Sequence, residues 1–238
     1  MKSTVILSLV LAVAIPAWLL VAPALAEDKA QEAPKVKIPE PGVPQVMTIQ
    51  GRYIRAAYNN EGYAILGYKT ANNSVGEEWM LLDLGLCLRD GVPSQTLKRE
   101  GLSLETPDGK TIPLATNTDY RKANLKALEQ RAKVARDSIN YFPPKARTVQ
   151  RLGFFADLDE RASAWDQVEL SFQRASAGQV FFQVPGGIKH GQYWVNVKLK
   201  ESLVRVPFRI LTEEENKMLD EHFDDIKKQV DEAFRTKG

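Results

Sequence analysis

The chain has a single cysteine, Cys87, and two histidines, His190 and His222, among 238 residues. A lone cysteine excludes an intramolecular disulfide, and with it a disulfide-stapled scaffold. Neither histidine has a second histidine or a cysteine at ligand spacing, which argues against a zinc centre. The signatures Gly-x-Ser-x-Gly, the P-loop and Gly-x-Gly-x-x-Gly are missing, and with them the motifs of common hydrolases, NTPases and dinucleotide enzymes. The acidic run Asp157-Leu158-Asp159-Glu160 does not open an EF-hand loop. Such a loop needs glycine sixth and glutamate twelfth, where this chain has Ala162 and Val168. No excess charge of one sign is present either: 32 basic residues face 30 acidic ones, so a broad electrostatic attraction for nucleic acid is not expected. No catalytic residue, cofactor or metal ligand is assigned on these grounds.

The first 26 residues read as a secretory signal peptide. Lys2 supplies the positive end, Val5–Val21 is apolar, and Ala24-Leu25-Ala26 is a small-x-small exit. A retained anchor is the competing reading. After Ala26 no apolar run is long enough to span a bilayer, so the expected location is periplasmic or secreted. Residues 27–45 are charged and rich in proline, which predicts an extended, solvated linker.

A period-two pattern dominates the rest. In Glu78–Arg89 the residues Met80, Leu82, Leu84, Leu86 and Leu88 fall on one face, with Asp83, Gly85 and Cys87 on the other. This predicts a long core strand whose second face is partly wet, with Cys87 a small buried hydrophobe. Further alternating runs follow: Val46–Ala57, Tyr63–Thr70, Leu102–Thr106, Thr111–Leu114, Val149–Ala156, Gln167–Gln173, and those carrying Phe182, Val195 and Val206. Pro107-Asp108-Gly109-Lys110 is a hairpin turn, and Pro113 marks an edge strand. About ten such runs predict a mainly β fold, a β-sandwich or barrel over residues 46–211.

Two segments break the rhythm. Leu125, Leu128, Ala132, Ala135 and Ile139 recur at three and four, which predicts a helical insertion at about 118–138 with a basic outer face. Thr212-Glu213-Glu214-Glu215 is a capping box opening a C-terminal amphipathic helix at about 213–236. Its seam of Leu219, Phe223, Ile226 and Val230 packs either on the parent domain or on a second chain. The basic and acidic helices are expected to lie near each other or to attract opposite partners.

Apolar area on nominally wet faces offers the functional hint. Trp79 lies opposite the leucine row, and Trp194 shares a face with Asn196 and Lys198. Each ring is either covered or serves, with Asn196, as a ligand platform that suits a sugar.

The long strand joined to a strand–Pro-Asp-Gly-Lys–strand hairpin in Glu77–Leu114, followed by Gln179-Val180-Phe181-Phe182-Gln183-Val184-Pro185, a loop and two closing strands, resembles a known layout. It is similar to telokin-like, immunoglobulin-fold domains of unknown function in secreted bacterial proteins. The resemblance implies an immunoglobulin-like β-sandwich acting as an extracytoplasmic binding module, with no catalytic residue. The expected function is non-catalytic protein interaction at the bacterial envelope. The partner is another protein, or a second copy through the last helix. Carbohydrate binding and an unrecognised hydrolase are the alternatives.

Overall fold

The computed structural model describes residues 34–134, 137–156 and 163–235. The expected signal peptide, the first part of the linker and the acidic run at 157–160 lie outside them. The fold is mainly β. Six strands form one sheet in the order β1 (Val46–Gly51), β2 (Ile54–Tyr58), β3 (Gly62–Gly67), β4 (Trp79–Leu88), β10 (Arg174–Gln183) and β8 (Thr148–Arg151). A second sheet has the order β12 (Leu203–Ile210), β11 (Gly191–Lys198), β6 (Leu102–Glu105) and β7 (Thr111–Pro113). Strands β5 (Gln95–Lys98) and β9 (Gln167–Leu170) pair separately. All neighbours are antiparallel except β8 and β10. As Pro113 predicts, β7 is an edge strand.

Both large sheets contribute to one hydrophobic cluster. It takes Met80, Leu82, Leu84, Leu86 and Leu88 from β4, and Tyr193, Val195, Val197, Val204, Val206 and Phe208 from the second sheet. The inward half of the β4 pattern is therefore as its sequence dictates. The outward half is not wet. Leu81 is buried among Phe155, Phe181, Tyr120 and Leu128 in a second cluster. Asp83 is buried and accepts the Asp137 N–H at 2.9 Å. Gly85 leaves room for Phe142, whose Cζ would stand 2.6 Å from a Cβ there. Buried Cys87 donates its thiol toward the Ser171 carbonyl. A strand covered on both faces reads as partly polar only because glycine, cysteine and a hydrogen-bonded aspartate can all be buried cheaply.

Other elements depart from the pattern in specific ways. The run Val46–Ala57 is not one strand but the β1–β2 hairpin, turned at Arg52-Tyr53. The run Val149–Ala156 stays extended only to Arg151; Leu152 and Phe154 then enter the main core from a loop. The insertion is two helices, α2 (Asn117–Lys122) and α3 (Leu125–Val134), after the four-residue α1 (Lys69–Asn72). Asn124 interrupts it because its side-chain oxygen caps the next helix by accepting the Ala127 N–H. The C-terminal helix is likewise two pieces, α4 (Glu213–Glu221) and α5 (Phe223–Arg235), kinked at His222. Its capping box is present, with Glu215 N–H donating to Thr212 and Thr212 N–H donating to Glu215.

The ion pairs that leave the two helical segments run to the β framework. Arg131 pairs with Glu77, while Asp220 and Glu215 take Arg52 and Arg209 from the β hairpin and β12. Among the described residues no helix is long and apolar enough to cross a membrane.

Candidate functional site

Neither tryptophan forms an open platform. Trp194 is 8% exposed. On β11 it pairs with Pro207 of β12 and Glu105 of β6, and Arg205 lies across its ring. Arg205 is fixed in turn: it donates to Asn196 Oδ1 at 3.1 Å, to Glu105 at 2.5 Å and to the Pro41 carbonyl at 2.6 Å. The polar residue expected to serve a ligand, Asn196, therefore holds the lid over the indole. Trp79 is half-buried against Tyr120 and Phe181, at 6.0 and 6.4 Å between ring centroids. The covers are thus one arginine and the insertion helix α2.

The helix seam is occupied as well. Leu219, Ile226 and Val230 are buried in the main cluster together with Phe234, and Phe223 packs against it. The seam closes on the chain's own core, which leaves it unavailable to a partner helix in this state.

What the seam builds is a groove. A cavity of about 610 Å³ lies between β1 and β12, with α4 and α5 on one side. Its walls are apolar: Met47, Ile49, Phe208, Leu211, Leu219 and Ile226. Its remaining side is the N-terminal segment 34–39, Pro-Lys-Val-Lys-Ile-Pro. This strap alternates, with Val36 and Ile38 half-buried against the core and Lys35 and Lys37 exposed. The described part of the linker is therefore extended, as its prolines require, yet docked. Gln229 of α5 accepts the Val36 N–H at 3.2 Å and donates to the Pro34 carbonyl at 3.1 Å. Farther along, the Gln45 carboxamide accepts the Arg205 N–H at 2.9 Å and donates to its carbonyl at 2.6 Å. Arg55 and Arg209 border the groove; Arg209 is held by Glu215 at 2.7 Å.

Besides Asp83, two buried charged residues are structural. Glu61 accepts from Ser202 Oγ at 2.6 Å, Gln95 Nε2 at 2.9 Å and the Glu201 N–H at 3.1 Å. Burial pushes its carboxyl up, but these donors outweigh burial and hold it below the ordinary carboxylate range. Because only donors face it, Glu61 is not arranged for a cation. Arg99, 4% exposed, donates to the carbonyls of Ala115 at 2.6 Å, Phe154 at 3.0 Å and Trp165. Lys98 and Glu100 flank it, so nothing in the sequence sets it apart. Burial pushes the Cys87 thiol up to about 11. Among the described residues no cluster of histidine, cysteine, aspartate and glutamate could hold a metal ion.

Searches against family models, curated proteins and solved structures find no match to this chain.

Proposed function

We propose that this protein is a non-catalytic, exported interaction module of the bacterial envelope, built as an immunoglobulin-like β-sandwich, whose partner is a protein. One observation carries the reading: an extended peptide already closes one side of the groove. The strap seats alternate apolar side chains in an apolar trough while a carboxamide on α5 reads its backbone from both sides. Extended peptides are recognised in this way elsewhere, with main-chain hydrogen bonds for affinity and pockets for every second side chain. The occupant in the bound state is a partner segment with apolar residues two apart, which takes the strap's place. The covered state of Trp194 and Trp79 counts against sugar binding through either ring.

The test uses the chain with Val36→Asp and Ile38→Asp, which detaches the strap by placing charge against apolar walls. A synthetic peptide of residues 33–40 added in trans should bind this variant and not the unaltered chain. Gln229→Ala in the same background should weaken that binding about tenfold, by loss of two hydrogen bonds. If the variant keeps its fold and ignores the peptide, the groove is only a packing defect.

A further inference from the structure

The apolar groove is bordered by charge of nearly one sign. Lys35 and Lys37 of the strap, Arg55 of β2 and Arg209 of β12 line it, against a single carboxylate, Glu215. That carboxylate is already neutralised. Its Oε1 accepts from Arg209 Nε at 2.9 Å and from Arg209 Nη2 at 2.7 Å, and its Oε2 accepts the Thr212 N–H at 3.1 Å. Both arginines keep donors in hand. Arg55 directs only Nη1 to the carbonyls of Gly51, Arg52 and Ile54. Its Nε and Nη2, and the Nη1 of Arg209, make no hydrogen bond among the described residues. Arg55 lies over the Tyr68 ring, and that ring meets Phe208, the chain neighbour of Arg209. The two guanidiniums thus come from adjoining parts of the wall.

Size and shape narrow the ligand further. The volume bounded by strap, strands and helices is about 610 Å³, within the range of small-ligand sites. The extended residues 34–39 make one wall, about 20 Å long at the reach of an extended chain. The hydrocarbon core of a bilayer is about 30 Å thick, so one acyl chain reaches about 15 Å. A single acyl chain therefore fits along the wall. Two methionines, Met47 and Met218, line the same space, and their unbranched thioethers adapt to a flexible tail.

We infer that the trough is a binding site for a long-chain fatty acid. The tail lies under the strap against Met47, Ile49, Phe208 and Ile226, and the carboxylate accepts the unspent N–H groups of Arg55 and Arg209. Other ligand classes fit less well. A cation would meet four basic side chains. A sugar would set its hydroxyls against methionine and isoleucine, where nothing pairs with them. An uncharged hydrocarbon would draw nothing from the arginines. The inference does not rest on the peptide-binding reading: there the strap leaves the groove, and here it stays as a wall.

The experiment is calorimetric titration of the whole chain with decanoate, laurate and myristate, each below its micelle concentration. All three should bind saturably, and each added pair of methylenes should tighten binding about tenfold, the gain from burying two CH₂ groups. Dodecanol and dodecyltrimethylammonium share the tail of laurate and should bind about tenfold more weakly or worse. Arg55→Gln should weaken laurate about tenfold and leave dodecanol unmoved, whereas Met218→Asp should weaken both. Should Arg55→Gln fail to fold, Lys35→Gln with Lys37→Gln carries the head-group test. The strap variant Val36→Asp with Ile38→Asp should lose laurate while it gains the peptide in trans, so the two readings fail separately. Capture of the peptide by that variant, with no saturable binding of any fatty acid by the unaltered chain, overturns this inference and leaves the other standing. Dodecanol binding as tightly as laurate also overturns it, as does laurate affinity unmoved in the folded variants.

Discussion

The guanidinium carbon of Arg205 stands 4.4 Å from the centre of the Trp194 ring. That one contact decides whether the most conspicuous aromatic of the second sheet faces water. Arg205→Ala should uncover the indole, shift its emission to longer wavelength and make it accessible to acrylamide. Loss of the cation–π contact and of the hydrogen bonds to Asn196, Glu105 and Pro41 should cost about 2 kcal/mol, read in a denaturant titration. Lysine at this position should restore little, because it cannot reproduce the planar fork.

Arg99 is a test of how buried charge organises loops. Arg99→Ala strips a donor from the carbonyls of Ala115, Phe154 and Trp165 at once. The expected loss is about 3 kcal/mol, because three carbonyls lose their donor at roughly 1 kcal/mol or more each. Arg99→Met should recover part of the packing but none of the hydrogen bonding.

Glu61 predicts an acid limb in the stability profile. Hydrogen bonds outweigh burial and hold its folded-state carboxyl below the unfolded one, so in that window the unfolded chain binds more protons. Stability from this group is complete above the ordinary carboxylate range and is lost as pH falls through the folded-state value. Glu61→Gln should flatten that limb and cost about 1–3 kcal/mol at neutral pH, measured by thermal melts across acid pH.

Cys87 should be silent in the native chain. With its thiol pushed up to about 11 by burial, only about a thousandth is ionised at pH 8. A thiol-specific chromogenic reagent should therefore react at the rate of unfolding, and the reacted fraction should follow the denaturation curve. Fast labelling of folded protein would contradict the burial of this side.

Much of the β architecture is legible in local sequence. The leucines of β4, the Pro-Asp-Gly-Lys hairpin and the Thr212–Glu215 capping box each state their role within a few residues. What is not legible comes from distant partners. Nothing near Asp83 or Gly85 announces that Asp137 and Phe142 will cover them. The seam on α4 and α5 shows that something apolar must meet it, but not that β1 and the strap will. Gln45 and Gln229 look like ordinary surface amides, although each binds a backbone from two sides. Tyr58 and Asp231 are 173 positions apart in the chain and meet only because α5 runs beside β1. Periodicity reports which face is buried; it carries no address for the partner.

Two segments of the described residues, one before β1 and one after β12, cover the sheet edges on either side of the groove. Helix α5, from the last residues, runs along β1, while the Gln45 carboxamide occupies Arg205 on β12 as a neighbouring strand would. The other outer strands of the two large sheets, β8 and β7, are four and three residues long, and β7 contains a proline. A nascent chain still lacking its last helix would thus carry an unblocked β1, ready to zip onto any extended neighbour. Truncation near Thr212 should therefore promote self-association through β1, read as a rise in light scattering relative to the untruncated chain.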